Sequence, residues 1–473
     1  MSKNLVYDIH DKPRFNRLII FAFQQLLAII AATIAVPAIV GNGMSASAAL
    51  FGAGIGTLVY QLFTKFRSPV FLGSSFAFIG SMIAAFAGAT TVALGYLGLI
   101  IGAILAGLVY VIIALVVKKV GVNWINRLMP PVVIGPTVAI IGLSLAGNAV
   151  ADLQAGDVKN LLNVSVANPL ICVICGVVTL ITVVLCSTFG KKMMKLIPFI
   201  IGILAGYAVA LVFSVIGEAA GVDALRIINF DYFAALWSDG VKLTTFVDLP
   251  DFTFVTAFGA FGELSGEYLG TIAAAYIPVA FVVFAEHIAD HKNISSIIER
   301  DLLSDPGLSR TLLGDGVGSM AGAFFGGCPN TTYGESVACV AITGNASVIT
   351  ILFAAIGAIL ISFVTPFVAF VDSIPACVMG GVCIALYGFI AVSGLKMIQK
   401  IDLGLNKNLF VVSTILITGI GGLSLSFGRV TITSIATALI LGIVVNLLLK
   451  DADEGEQDES SDSSDADSAP TEE

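Results

Sequence analysis

The chain has 473 residues, of which 57% are hydrophobic and only 12% charged, and its mean hydropathy is +1.00. Soluble domains carry roughly twice that charged fraction, so an ordinary cytosolic enzyme, a largely disordered chain and a nucleic-acid-binding protein are excluded. The net charge of −9 comes from the end of the chain: residues 451–473 hold 11 of the 32 acidic side chains and no Lys or Arg, leaving a body of 23 basic and 21 acidic groups.

The N-terminal segment, 1–16, carries Lys3, Lys12 and Arg14 ahead of the first apolar run, with Arg17 just inside it. No small-residue cleavage site follows, so the first helix is expected to be retained as a membrane span. A hydrocarbon core about 30 Å thick needs roughly 20 apolar residues per helix. Runs of that kind lie at 17–40, 45–63, 69–85, 92–117, 130–149, 168–187, 196–216, 270–290, 311–327, 330–344, 346–369, 374–393, 408–426 and 429–449. The expected fold class is an all-α polytopic membrane protein with about 14 transmembrane segments.

Spans 69–85 and 330–344 are short, with Gly, Ser, Thr or Asn in their first halves. Such composition predicts segments that are extended at first and helical afterwards. Broken backbone is tolerated at membrane depth only where it lines a buried cavity. The half-helix that follows presents free N–H groups to carbonyl oxygens or anions.

Basic residues cluster before span 1 and recur at Lys65 and Arg67, at Lys118, Lys119 and Arg127, and at Lys191, Lys192 and Lys195. They return at Lys292, Arg300 and Arg310, and again at Lys396, Lys400 and Lys407. All these positions follow even-numbered spans, so the positive-inside rule puts both termini in the cytoplasm. The acidic loop from Glu218 to about Glu267 falls on the other side. The tail 451–473 is rich in charge and Ser and is expected to be disordered. The seven cysteines lie in or beside apolar runs, and Cys172-Val-Ile-Cys175 lacks the βαβ context of a redox motif, so they read as small buried hydrophobes.

A weak internal echo relates two halves. Pro130-Pro-Val-Val-Ile-Gly135 opens span 5 and Pro375-Ala-Cys-Val-Met-Gly380 opens span 12; Gly73-Ser-Ser-Phe-Ala-Phe78 opens span 3 and Asn330-Thr-Thr-Tyr-Gly-Glu335 opens span 10. Partners seven crossings apart must insert upside down relative to each other, the 7+7 inverted-repeat plan of secondary transporters.

Ionisable groups at membrane depth are costly and read as functional. Glu286 follows the run Ala280-Phe-Val-Val-Phe-Ala285, and Asp290, four residues on, shares its helix face. Asp290, followed by His291 and Lys292, reads equally well as the end of the helix. Glu335 stands beside Gly334 and Tyr333. Burial favours the neutral form of a carboxyl, so one that binds a substrate can also carry a proton. Asp315, between Gly314 and Gly316, reads as structural, near the cytoplasmic end of span 9, and the glycines of that span as close-packing sites.

At these residues the chain resembles the nucleobase–ascorbate transporters, also called nucleobase–cation symporters 2, over about 15–450. The resemblance rests on Leu72-Gly-Ser-Ser-Phe-Ala-Phe-Ile79, Ala285-Glu-His-Ile288, Asp301-Leu-Leu-Ser-Asp-Pro-Gly-Leu308 and Pro329-Asn-Thr-Thr-Tyr-Gly-Glu335. The last block is closer to the uracil branch than to the purine branch. The family implies a core domain of 17–127 and 269–370, carrying the site, and a gate domain of 128–268 and 371–450 that moves against it. It implies proton-coupled uracil symport into the cell across the plasma or inner membrane, and a homodimer in the lipid bilayer. No cofactor is expected beyond the coupling ion, a proton, with sodium left open.

Carried over by position, Glu286 and Glu335 bind the base, and the backbone amides of Phe76 and Gly334 meet its carbonyls. Ala32 and Tyr333 pack near the ring, and Glu286 and Asp290 serve proton coupling. The chain departs from the family in two places: Asp290 stands where relatives often have His, and Gln24-Gln25 replaces a Gln-His pair. A xanthine or other nucleobase permease is the rival within the family, and a non-pumping channel or receptor the rival outside it. An anion transporter would want a basic residue facing the site, and spans 3, 8 and 10 themselves contain no Lys or Arg. A membrane enzyme would want a nucleophile–base pair or a metal cluster, and neither is evident.

Overall fold

A computed structural model describes residues 5–449 apart from 122–123, 125–128, 161–163, 192, 239 and 428–429. The acidic tail 451–473 and Arg127 lie outside the described residues. The first half contains α1 (Phe15–Val40), α2 (Ala46–Phe63), β1 (Leu72–Ser74), α3 (Ile79–Ala87), α4 (Val92–Val120), α5 (Pro131–Ser144), α6 (Ala146–Leu153), α7 (Pro169–Phe189), α8 (Met193–Leu196) and α9 (Pro198–Ala220). Two short helices follow in the acidic loop, α10 (Asp231–Trp237) and α11 (Thr253–Ala257). The second half contains α12 (Gly266–Ile298), α13 (Leu308–Gly326), β2 (Asn330–Thr332), α14 (Gly334–Thr343), α15 (Val348–Ile361), α16 (Thr365–Asp372), α17 (Ala376–Ile398), α18 (Asn406–Ile420), β3 (Leu425–Phe427), β4 (Val430–Ile432) and α19 (Ser434–Leu448).

The helix starts follow local chemistry. The hydroxyls of Ser45, Thr91 and Ser265 accept from the free amides of Ala48, Leu94 and Tyr268 at 3.2, 3.2 and 3.1 Å. Prolines 131, 169 and 198 occupy first-turn positions of α5, α7 and α9, where no amide is needed. Among the described residues eight helical segments, with α5 and α6 counted together as 131–153, are long and apolar enough to cross a membrane, and five shorter apolar helices accompany them.

The helices pack in two groups. In one, α2 and α4 flank α13, α15 covers α1 and α2, and α12 lies on α4. In the other, α17 packs on α5 and α7, α9 on α7, and α18 on α5 and α19. Glycine permits the closest approaches. A Cβ at Gly52 or Gly326 would strike backbone of the facing helix, and one at Gly56 or Gly322 would strike the Asn330 amide. That amide donates to Gly52 O at 3.0 Å and so pins β2 against α2.

The short spans break as expected. β1 and β2 pair antiparallel, with Leu72 opposite Thr332, Gly73 opposite Thr331 and Ser74 opposite Asn330. The pairing gives broken backbone its hydrogen bonds inside the protein, and α3 and α14 then start from opposite sides of the crossing. Thr57 Oγ1 accepts from Leu72 N at 2.9 Å, binding β1 to α2 as well.

Three expected spans are corrected. Span 346–369 is interrupted: α15 ends at Ile361, and α16 starts only at Thr365, with Pro366 in its first turn. Spans 408–426 and 429–449 contain helices of 15 residues each, joined by the β3–β4 hairpin. Gly421 and Gly422 end α18, and the alternating Leu-Ser-Leu-Ser-Phe and Val-Thr-Ile-Thr stretches suit strands. Mean hydropathy alone does not separate these stretches from the neighbouring helices.

The N-terminal segment also has structure. Val6 N donates to Gly344 O at 2.8 Å, Ala346 N to Tyr7 O at 2.9 Å and Val348 N to Ile9 O at 3.1 Å. Ile9, 3% exposed, packs with Leu72, Ile294, Val337 and Val340, behind both paired strands.

Candidate functional site

The half-helices meet in a cavity of about 440 Å³, lined by Glu286, Asp290, Thr331, Tyr333, Gly334, Glu335 and Phe76, with α17 contributing Leu386 and Phe389. That volume lies in the usual range for small-molecule sites.

Glu286 and Asp290 are one turn apart on α12 and both face the cavity. The helix runs 33 residues and continues to Ile298, so Asp290 does not mark its end. Thr332 Oγ1 donates to Asp290 Oδ2 at 2.7 Å, fixing that carboxyl against β2. Glu335 lies in the first turn of α14, where the helix dipole favours negative charge. Gly334 opens that helix, lines the cavity and has open space at its Cβ position. Phe76 starts the 3₁₀ turn Phe76–Phe78 on the other strand, and its ring meets Tyr387 edge-on at 6.0 Å.

Tyr333 is buried and lines the cavity, and its hydroxyl donates to Ser74 O at 2.8 Å. The ring lies directly over Gly73, where any Cβ would collide with it. The hydroxyl of Thr331, also in the lining, is buried with no partner among the described residues. It presents a free polar group to the cavity.

Two expected placements are corrected. Ala32 is 1% exposed within the packed core and does not line the cavity; Ala28, one turn earlier on the same face of α1, does. A cation does reach the cavity: Lys195, on α8 between spans 6 and 7, lines it. Gln25 is also placed outside the cavity. Its Nε2 donates to Ser336 Oγ at 2.6 Å, and Phe71 N donates to the same oxygen at 3.0 Å. Gln25 thus braces the residue after Glu335 from behind.

A buried network behind α12 was not anticipated. His287 Nδ1 lies 2.7 Å from Asp315 Oδ2, and its Nε2 lies 2.9 Å from Thr311 Oγ1. His291 stacks on His287 with ring centroids 4.0 Å apart, and its Nε2 lies 2.8 Å from the Tyr60 hydroxyl, which reaches Ser68 at 2.7 Å. Asp315 is therefore buried at the α12–α13 contact, where its structural role is to hold the helix that carries Glu286. The only sequence signal was an Asp between two glycines and a His next to Glu286. Among the described residues no group of His, Cys, Asp and Glu is arranged to hold a metal ion.

Apolar spanning helices, paired broken segments at depth and a carboxyl-lined cavity between two helix groups define a polytopic membrane transport protein. The family model Xan_ur_permease, described as "Permease family", matches residues 16–426. The chain belongs to this permease family, that of the nucleobase–cation symporters 2. It is 40% identical to "Uracil permease" of Bacillus caldolyticus over 94% of each chain, and 35% identical to "Uracil permease" of Escherichia coli over 93% of each. Among solved structures, the transmembrane domain of a cyanobacterium bicarbonate transporter BicA superposes with a TM-score of 0.60. The match covers 93% of this chain and all of that one at 14% identity, a likeness of fold.

Proposed function

We propose that the chain is a uracil permease that takes up uracil with protons by alternating access. The observation that carries this reading is the convergence of Glu286, Glu335 and the free start of α14 on one cavity. Uracil presents two ring N–H donors and two carbonyl acceptors. Carboxylates accept from the first, and backbone N–H groups at helix starts donate to the second. The names and identity of the two uracil permeases support the choice of base. In this reading 17–127 and 269–370 form the core that holds the base, and 128–268 and 371–450 form the gate. Glu286 binds the base, and Glu286 or Asp290 carries the proton. Asp290, held by Thr332, takes the place of the family's usual His.

Uptake into proteoliposomes tests the coupling. An imposed inward proton gradient is expected to accumulate labelled uracil, a protonophore to collapse the accumulation, and a sodium gradient to do neither. Accumulation driven by sodium alone would overturn proton coupling, and equilibration without accumulation would favour a channel. Stronger competition by xanthine than by unlabelled uracil would favour the rival base.

The close fit of Tyr333 over Gly73 gives a second test. Gly73→Ala forces the ring off its bond to Ser74, and overpacking of this kind costs about 1–3 kcal/mol. Uracil affinity, measured by calorimetry on the purified protein, is expected to fall about tenfold or more. An unchanged affinity would place the base away from Tyr333.

A further inference from the structure

Lys195 sits on the four-residue helix α8, lines the cavity and is exposed. It has no ion pair among the described residues. The other charged lining groups are all acids: Glu286 and Asp290 on α12, and Glu335 on α14. Helix α8 is also a point where the two helix groups touch. Gln24 Nε2 donates to Met193 Sδ at 2.8 Å, and Leu196 packs with Ala28 of α1 and Cys339 of α14. Lys195 is thus carried by one group and lines the same cavity as the carboxyls of the other, at a boundary that the proposed transport cycle would open and close.

After base and proton have left, the empty carrier must close around a carboxylate that has lost its proton. An uncompensated charge in a closed, membrane-embedded cavity is costly. We propose that Lys195 is the counter-ion of the empty carrier: as the cavity closes, its ammonium pairs with the ionised carboxylate of Glu286 or Asp290. It thereby sets the rate at which the unloaded protein resets. The loaded carrier does not need this pair, because base and proton already engage the carboxyls. The inference rests on the proton-coupled uracil transport proposed above.

Two assays on the same proteoliposomes separate the steps. Net uptake requires the empty carrier to return, whereas exchange of labelled for unlabelled uracil, saturating on both sides, does not. Lys195→Gln is expected to slow net uptake about tenfold while leaving exchange within about twofold of the unaltered protein. Lys195→Arg, which keeps the charge, is expected to restore net uptake. Proportionate loss in both assays, or no loss in either, would overturn the inference; a structural role alone slows both. Exchange itself reports a folded protein. Failure of the unaltered protein to exchange uracil at all would instead refute the transport reading.

Discussion

Glu286→Gln is expected to reduce uracil uptake by whole cells to background at an unchanged amount of protein in the membrane. The amide is the same size as the carboxyl, so packing along α12 survives. Its oxygen is a neutral acceptor, and its NH₂ can face a ring N–H, donor against donor. A hydrogen bond to a charged group contributes about 1.5–3 kcal/mol, so its loss alone weakens binding roughly 10- to 100-fold. The variant also loses a carboxyl able to carry the proton. Glu335→Gln removes the second acceptor, from the start of α14, and is expected to do the same. Glu286→Asp keeps the charge but withdraws it by one methylene, and partial uptake is expected. Full uptake in either Gln variant would overturn the placement of the base.

The second large effect concerns stability. Asp315→Leu leaves the Nδ1 of a fully buried His287 facing hydrocarbon. Leaving one side of a buried hydrogen bond unsatisfied costs about 1–3 kcal/mol, a sizeable part of the stability of an ordinary domain. Thermal unfolding of the purified protein in detergent is expected to move down by several degrees. His287→Leu alone is expected to be similarly harmful. The double variant removes both orphaned groups, and its loss is expected to be well short of the sum of the two single losses. Strict additivity would show that the two side chains do not support each other. Because α12 also carries Glu286, the single variants are expected to lose uracil binding as well.

The main outline was legible for a physical reason. A bilayer demands long apolar helices, and their lengths are written directly in the chain. The strand–half-helix units were legible too, because Leu72-Gly-Ser and Asn330-Thr-Thr interrupt apolar runs with residues that serve poorly as lipid-facing helix. The hairpin around Leu425 and Val430 was not. Alternating Leu and Ser followed by Val, Thr and Ile is apolar enough to pass for membrane helix when only mean hydropathy is weighed. The site carboxyls stood out because charge is rare in such a chain. Their supports did not: Asp315 is 28 residues from His287, and pairing across two helices leaves no local pattern. Lys195 was visible as one more basic loop residue. Nothing in its neighbours said that the loop folds back against α1 and α14.

The antiparallel pairing of β1 with β2 has a mechanical consequence. In the proposed site the starts of α3 and α14 would meet the base from opposite directions, yet the strands leading into them are stitched together by main-chain hydrogen bonds, with Tyr333 tied to Ser74 as an extra thread. Such a site cannot release its cargo by parting like a jaw, since each stitch lost would leave bare amides and carbonyls in a water-poor interior. Under the proposed alternating access this unit would stay whole, a closed hand on a rigid arm, while the surrounding wall slides past it.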